Sequence, residues 1–136
     1  MAFPGEGGGA RRGKRRRLSR SAEFDRVFRE GRSHASRYLV LHAFPRPEAS
    51  EEEPRLGVSV GRKVGGAIER NRVKRLLREA FWASLDEFPV GHDFVLVARP
   101  DAGELARERG EAGIEEALRD LLAAAGLRTD RSAAGG

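Results

Sequence analysis

The chain has 136 residues and no cysteine, so it is long enough for one modest hydrophobic core but not for two. The absence of cysteine excludes disulfides, thiolate nucleophiles and cysteine-based metal sites. There are 26 Lys and Arg residues against 21 Asp and Glu, giving a net charge of +5. This balance favours anionic partners.

Targeting signals are not evident in the sequence. No apolar run approaches the roughly 18–20 residues that would cross a bilayer. The first residues are basic, but no apolar segment follows them as it would in a secretory signal. We therefore expect a cytoplasmic protein.

Composition divides the chain into three parts. Residues 1–16 are rich in Gly and Arg and are predicted to be a flexible basic extension. Residues 17–126 are predicted to form a single domain, and residues 127–136 a flexible tail. The charges are also uneven, since residues 11–20 contain seven cations and no acid, whereas residues 101–120 contain seven acids and three arginines.

The first predicted element is a short helix, "SAEFDRVFREG" (21–31). Phe24, Val27 and Phe28 fall at positions i, i+3 and i+4 and therefore share one face. Gly31 is a residue type that commonly ends a helix. The segment is thus predicted to be a helix with an aromatic face.

Two predicted strands follow, separated by an acidic loop. Residues 37–44 and 55–61 both alternate apolar and smaller or polar side chains, as half-buried strands do. Residues 45–54 contain three prolines and four glutamates, which indicates a solvated loop. We therefore predict a β-hairpin with a long turn. His34 is assigned to a turn before the first strand.

The remaining predicted elements are a basic helix, a buried strand and a final helix. The basic helix spans about 67–86, and residues 93–98 form a continuous apolar run typical of a strand buried on both faces. Leucines and an isoleucine at helical spacing predict the last helix at about 113–125. The acids in "PDAGELARERGEAGIEE" (100–116) are interpreted as a solvated loop and helix face.

The basic helix has an unusual charge pattern. At about 100° per residue its apolar side chains occupy one arc; they are Val73, Leu76, Leu77 and Ala80. Outside that arc, Arg70, Lys74 and Arg78 form one line, and Asn71 and Arg75 a second. Like charges four residues apart repel, and solvated faces usually alternate in sign. The pattern favours a surface that follows phosphates over a merely solvated face.

Two neighbouring features bear on the same surface. Arg62 and Lys63 precede the helix in "GRKVGG" (61–66), where glycines permit close approach of a backbone. Asn71 lowers helix propensity relative to Ala. It is either an exposed, mildly unfavourable residue or a polar contact to a nucleotide or to a metal-bound water.

These segments resemble the protein subunit of bacterial ribonuclease P. "ERNRVKRLLREAF" is similar to that family's Arg-Asn-Arg helix, and "RLSRSAEFDRVFREG" to its first helix. "RLGVSVGRKVGGAIERNRVKR" is similar to its strand-to-helix passage, and "DFVLVARP" to its next strand. The resemblance covers roughly residues 17–125. It implies an α/β (α+β) two-layer sandwich, a small mixed β-sheet packed with three helices. The implied type is that of the second domain of ribosomal protein S5, with a left-handed βαβ crossover.

The resemblance also implies a function. In such enzymes the RNA subunit hydrolyses the phosphodiester with Mg²⁺, so the protein has no catalytic residue and binds no metal tightly by itself. The protein binds the 5′ leader of precursor tRNA in a cleft, contacts the catalytic RNA and strengthens the binding of functional metal ions. Removal of the leader gives the mature tRNA 5′ end.

Site residues follow from the matched motifs. The implied RNA-binding set is Arg62, Lys63, Arg70, Asn71, Arg72, Lys74, Arg75 and Arg78. Phe24 and Phe28 match the cleft phenylalanines, although core packing is an equal alternative for both. His42 stands where some relatives have an aromatic residue and is a further candidate for leader contact. The acidic insert at 48–53 should point away from RNA, and the basic extension should bind RNA without sequence preference.

Three other functions are alternatives for a chain of this composition. A self-sufficient nuclease needs clustered acid–base or metal-binding groups, but His34, His42 and His92 are scattered along the sequence. A ribosomal protein that binds structured rRNA is the main alternative, because small basic α/β folds are common there. A DNA-binding factor is disfavoured, since no helix-turn-helix spacing precedes the basic helix.

Overall fold

A four-stranded mixed sheet forms the centre of the protein. The structure is a computed structural model that describes residues 18, 21–49 and 51–129; the predicted extension at 1–16 lies outside them. The strands are β1 (Arg32–Ala35), β2 (Leu39–Pro45), β3 (Arg55–Val60) and β4 (His92–Ala98). Their order in the sheet is β1-β2-β4-β3. The β1–β2 and β2–β4 pairs are antiparallel, and the β3–β4 pair is parallel.

Three helices cover the two faces of this sheet. They are α1 (Ser21–Glu30), α2 (Ala67–Ala83) and α3 (Asp101–Ala124). Helices α2 and α3 enclose the main hydrophobic core with one face. Helix α1 and Leu18 cover the other face through a smaller cluster that includes Val27 and Val95. The predicted class, three helices packed on a small mixed sheet, is confirmed.

Strand β4 is buried on both faces, as its continuous apolar run predicted. Phe94 and Leu96 belong to the main core, whereas Val95 points to α1. The ring of Phe94 lies 5.1 Å from that of Phe88, which lies 4.6 Å from that of Phe81. These aromatic contacts join the end of α2 to the centre of the sheet.

The predicted hairpin of residues 37–44 and 55–61 is wrong. Strand β4 lies between β2 and β3, so the two predicted neighbours do not pair. The hairpin is instead β1–β2, and His34, assigned to a turn, lies in β1 opposite Leu41. Strand β1 has four residues, "RSHA", which are too few and too polar to show an alternating pattern.

The last helix begins earlier than predicted. Helix α3 starts at Asp101 rather than near residue 113, so most of the stretch interpreted as a loop is helical. Ala102, Leu105 and Ala106 are buried at i, i+3 and i+4 spacing, a weak apolar signal because two of them are small. Gly110, at φ 57° and ψ −142°, interrupts the helix and separates its two segments.

The ends of two other predicted segments also differ. Helix α2 ends at Ala83, and a 3₁₀ turn at Leu85–Glu87 follows it, where a helix to residue 86 was predicted. Of the predicted tail (127–136), Leu127 packs against the core and the Thr129 N–H donates to the Glu87 carbonyl at 2.7 Å. The rest of that tail lies outside the described residues.

The connection from β3 to β4 passes through α2 and joins parallel neighbours, so it is a βαβ crossover. Its left-handedness stays a prediction. None of the helices in the described part of the chain is long and apolar enough to cross a membrane.

Candidate nucleic-acid interface

A groove lies over the edge strand β3, between α1 on one side and α2 on the other. Its volume is about 310 Å³, near the lower end for small-ligand sites. It therefore suits single nucleotides rather than a duplex. The lining side chains are Phe24, Asp25, Phe28, Val58, Ser59, Val60 and Lys74.

The floor of the groove is the open edge of the sheet. Because β3 is the last strand of the sheet in the described part of the chain, no described strand neighbours its outer backbone groups. The Leu18 N–H donates to the Leu56 carbonyl at 3.0 Å, which shows that the polar groups of Leu56 point outward. Backbone groups alternate in direction along a strand, so those of Val58 and Val60 point outward as well, toward the groove.

Phe24 and Phe28 form the aromatic wall, but their surroundings differ. Phe24 is half-buried on Gly57, where an added Cβ would overlap its ring. Phe28 is 42% exposed, and its ring centroid lies 6.4 Å from that of Phe24. Thus Phe24 also has a packing role, whereas Phe28 presents its ring to solvent. Both predicted cleft phenylalanines line the groove.

His42 lies beside this aromatic wall, behind Phe28. The two ring centroids are 4.7 Å apart, with the ring planes at 78°. Burial lowers the pKa of His42 below its ordinary value because it disfavours the charged imidazolium. The side chain is half-buried, so it supports Phe28 and is not among the residues that line the groove.

The one acid in the first turn of α2, Glu69, is bonded to other groups of the protein. The Glu69 carboxylate accepts a hydrogen bond from the Gly66 N–H at 3.3 Å, which caps the helix. It also accepts one from Arg107 of α3 at 2.6 Å. These bonds, the one from Arg107 first, lower the pKa of Glu69. Because Glu69 is engaged by α3, it does not offset the cations on the outer side of α2.

The predicted apolar stripe of α2 is confirmed, since its four residues are all buried. Arg62 and Lys63 are exposed in a 3₁₀ turn at Arg62–Val64 just before the helix. On the outer side of α2, the neutral Asn71 and the cation Arg75 are exposed. The other four cations of the helix are half-buried; these are Arg70, Arg72, Lys74 and Arg78.

Helical spacing separates Arg72 from the other α2 residues of the predicted RNA-binding set. Arg72 lies about 160° around the helix from Arg70, on the other flank of the buried stripe. Lys74 reaches the groove and is the cation of α2 that lines it. The Arg70 Nε is buried and has no hydrogen-bond partner within the described part of the chain.

A buried ion cluster, which the sequence analysis missed, lies at the start of β4. Asp93 is fully buried, and its carboxylate lies 2.8 Å from the Nε of Arg46 and 2.8 Å from that of Arg55. Arg26 of α1 approaches it to 3.4 Å, and Arg55 also binds Glu23 of α1 at 3.0 Å. The cluster therefore fixes α1 on the sheet. The sequence does contain a signal for it, because Asp93 directly precedes the apolar run of β4.

The acidic insert precedes β3, whereas the basic turn follows it. Arg46 binds Glu52 at 3.1 Å and the Glu53 carbonyl at 3.0 Å, which holds this loop near the start of β4. Strand β3 has six residues, and at about 3.3 Å per residue it puts roughly 20 Å between its ends. The glutamates thus lie at the opposite end of β3 from Arg62 and Lys63.

The described residues offer no protein-held metal site. In the ranges 21–49 and 51–129, and at Leu18, no three His, Asp or Glu side chains are grouped so that they could hold a metal ion. The resemblance places Mg²⁺ mainly on the RNA and so requires no metal site among these side chains. We therefore assign no step to a metal held by this chain.

The fold and this surface define a class of protein, a small α/β protein with an aromatic groove and a basic helix at its surface. The sequence matches the family model described as Ribonuclease P over residues 13–123. The chain belongs to the ribonuclease P protein family, whose members act in tRNA processing as part of a ribonucleoprotein.

Individual relatives agree with this assignment. The ribonuclease P protein component of Bacillus velezensis is 40% identical over 106 residues, covering 78% of this chain and 89% of that protein. The one from Bacillus pumilus is 37% identical, covering 78% and 87%. Among solved structures, the Staphylococcus aureus RNase P protein has a TM-score of 0.72 at 29% identity, covering 84% of this chain and 98% of that one. The Thermotoga maritima protein has a TM-score of 0.69 at 32% identity, covering 78% and 94%.

Proposed function

We propose that this chain is the protein subunit of a ribonuclease P holoenzyme. It binds the single-stranded 5′ leader of precursor tRNA in the groove over β3 and contacts the catalytic RNA through the basic residues around α2. It thereby assists the Mg²⁺-dependent endonucleolytic removal of the leader. The RNA subunit carries the cleavage chemistry, with Mg²⁺ held mainly by RNA.

One observation carries this proposal: an exposed aromatic ring and a cation that has no ion-pair partner among the described residues line the same groove. Phe28 offers a face on which a splayed base can stack. Lys74 lines the groove and forms no ion pair with a described residue. An apolar ligand would not need the cation, and a simple anion would not need the aromatic ring. Single-stranded nucleic acid uses both.

The cations outside the groove extend the same surface. Arg62 and Lys63 lie in the turn that follows β3, beside the first turn of α2. The exposed face of α2 adds the cation Arg75 and the neutral amide of Asn71. Each phosphate that such cations neutralise releases counterions and strengthens binding. This surface supports contacts to RNA phosphates on both the leader and the catalytic RNA.

A cleavage assay tests the proposal. Precursor tRNA is incubated at low Mg²⁺ with the protein alone, with the RNA subunit alone, and with both. We expect no cleavage by the protein alone and faster cleavage by the two together than by the RNA alone. Cleavage by the protein alone would favour the self-sufficient nuclease.

The same assay separates the proposal from the ribosomal alternative. An rRNA-binding protein of similar charge should not stimulate cleavage by the RNA subunit. A second arm compares the affinity of the holoenzyme for precursor tRNA with its affinity for mature tRNA. Equal affinities would show that the groove does not bind the leader.

A further inference from the structure

We propose that Asp25 makes the groove selective for one kind of base, a single-stranded guanine. The inference rests on the proposed binding of RNA in the groove and adds a base preference to it. Asp25 lies on α1 between the two aromatic residues and lines the groove with them. The sequence motifs indicate no binding role for Asp25.

The groove contains two opposite charges that do not neutralise each other. Asp25 comes from α1 and Lys74 from α2, and both line the groove. Neither forms an ion pair with any residue that the structure describes. A carboxylate repels phosphate oxygens, so it weakens binding of a polyanion unless it contacts another part of the ligand. The bases are the part of a nucleotide that carries N–H donors.

Guanine matches an ionised carboxylate best because that group accepts hydrogen bonds and donates none. The N1–H and N2–H groups of guanine are adjacent, so they can bind both carboxylate oxygens at once. Adenine and cytosine each present an amino group next to a ring-nitrogen acceptor, which would face the second oxygen. The N3–H of uracil lies between two carbonyls. Bidentate, charge-assisted bonds are the stronger and more specific kind.

The position of Asp25 on α1 suits this contact. Asp25 and Phe28 are three residues apart, so they lie on one face of the helix with Cβ atoms about 5–6 Å apart. A base stacked on Phe28 therefore lies within reach of the Asp25 carboxylate. Its phosphate can then lie toward Lys74, across the groove from α1. In this arrangement Phe28 stacks on the base, Asp25 accepts hydrogen bonds from the base edge, and Lys74 pairs with the phosphate.

The test measures base preference in the holoenzyme. The full-length protein is reconstituted with the RNA subunit, and precursor tRNAs carry an unstructured leader in which each position in turn is G, A, C or U. Equilibrium dissociation constants are measured at constant salt. We expect one leader position at which guanine binds about 5-fold to 100-fold more tightly than uracil, as one bidentate contact gives.

Two variants assign that preference to Asp25. Asp25→Asn keeps the side-chain shape but replaces one acceptor oxygen with a donor, so the guanine advantage should fall to about 2-fold or less. Mature tRNA, which lacks the leader, should bind the variant as it binds the wild type. Glu30→Gln is the matched control, because it removes the same charge from α1 at a residue outside the groove. It should keep the full preference.

The outcomes distinguish this inference from the function on which it rests. Absence of a guanine advantage at every leader position, or its retention in Asp25→Asn, overturns the inference but leaves leader binding intact. Tighter binding of all four bases by Asp25→Asn also overturns it, since Asp25 would then act only by repelling phosphate. If the leader adds no affinity in the wild type, the proposed function and the inference both fail.

Discussion

The arginines around Asp93 and two cations of α2, Lys74 and Arg75, belong to one chain but have opposite surroundings. Arg46 and Arg55 contact the buried Asp93 and are further bonded to glutamates. By contrast, Arg75 and Lys74 form no ion pair within the described part of the chain. Arginines whose charge is already compensated hold the fold together. Cations left uncompensated on a surface are available to an external anion.

Removing the Asp93 carboxylate should have the largest effect, and that effect should be on the stability of the fold. Asp93→Asn leaves three arginines near a buried neutral group, so it should lower the free energy of unfolding by about 3–5 kcal/mol. Urea denaturation measures this. Asp86→Asn is the control at an exposed position and should change stability by no more than about 0.5 kcal/mol. A change of similar size in both variants would contradict a structural role for the cluster.

Replacing the exposed aromatic residue should affect the RNA more than the fold. Phe28→Leu should weaken binding of leader-bearing precursor by about 1–3 kcal/mol through lost stacking, while binding of mature tRNA stays constant. Phe24→Leu should do so as well, but it should also reduce stability, because Phe24 packs on Gly57. Equal loss for precursor and mature tRNA would assign Phe28 to the core instead.

Truncating the cations of α2 should change the salt dependence of binding. Arg70→Ala, Lys74→Ala and Arg78→Ala should each reduce the slope of log K against log salt by about 1. Arg119→Ala is the control on α3, because Arg119 is already paired with Glu87 and Glu115. Binding titrations over a range of salt concentrations give the slopes. Unchanged slopes for the α2 variants would mean that this face contacts only solvent.

The smallest expected effect is a pH dependence from His42. Burial lowers its pKa in the folded state, so below the ordinary value of 6.5 the unfolded chain binds the proton more readily. The free energy of unfolding is therefore unaffected by His42 protonation above about pH 6.5. It decreases as the pH falls from there toward the folded-state pKa. Tm measured between pH 5 and 8 should show this decline. His42→Phe keeps an aromatic ring and should lack that part of it.

Local periodicity was enough to predict much of the candidate site. The apolar stripe of α2 follows from side chains spaced at the helical period, and the structure buries all of them. Phe24 and Phe28 share a face for the same reason, whereas their place in a cleft was implied by the family resemblance and not by their spacing. The stripe and the shared face are properties of residues three or four apart in sequence, so no information about distant segments is needed.

Partners that are distant in sequence could not be predicted in the same way. The alternating strands 37–44 and 55–61 indicated a hairpin, but β4 lies between them and pairs with β2 along one edge and with β3 along the other. That insertion makes β3 an edge strand and so creates the groove. Asp25 enters the site only because α1 docks beside that edge.

The sequence by itself determined which sides of α1, α2 and the second half of α3 are apolar, where the excess positive charge lies and which family the motifs resemble. Tertiary structure alone decided which charges are compensated, because that depends on which segments meet. Asp93 and Arg26 are 67 residues apart, and Glu69 and Arg107 are 38 apart. Charge is a property of each residue, but its compensation is a property of the fold.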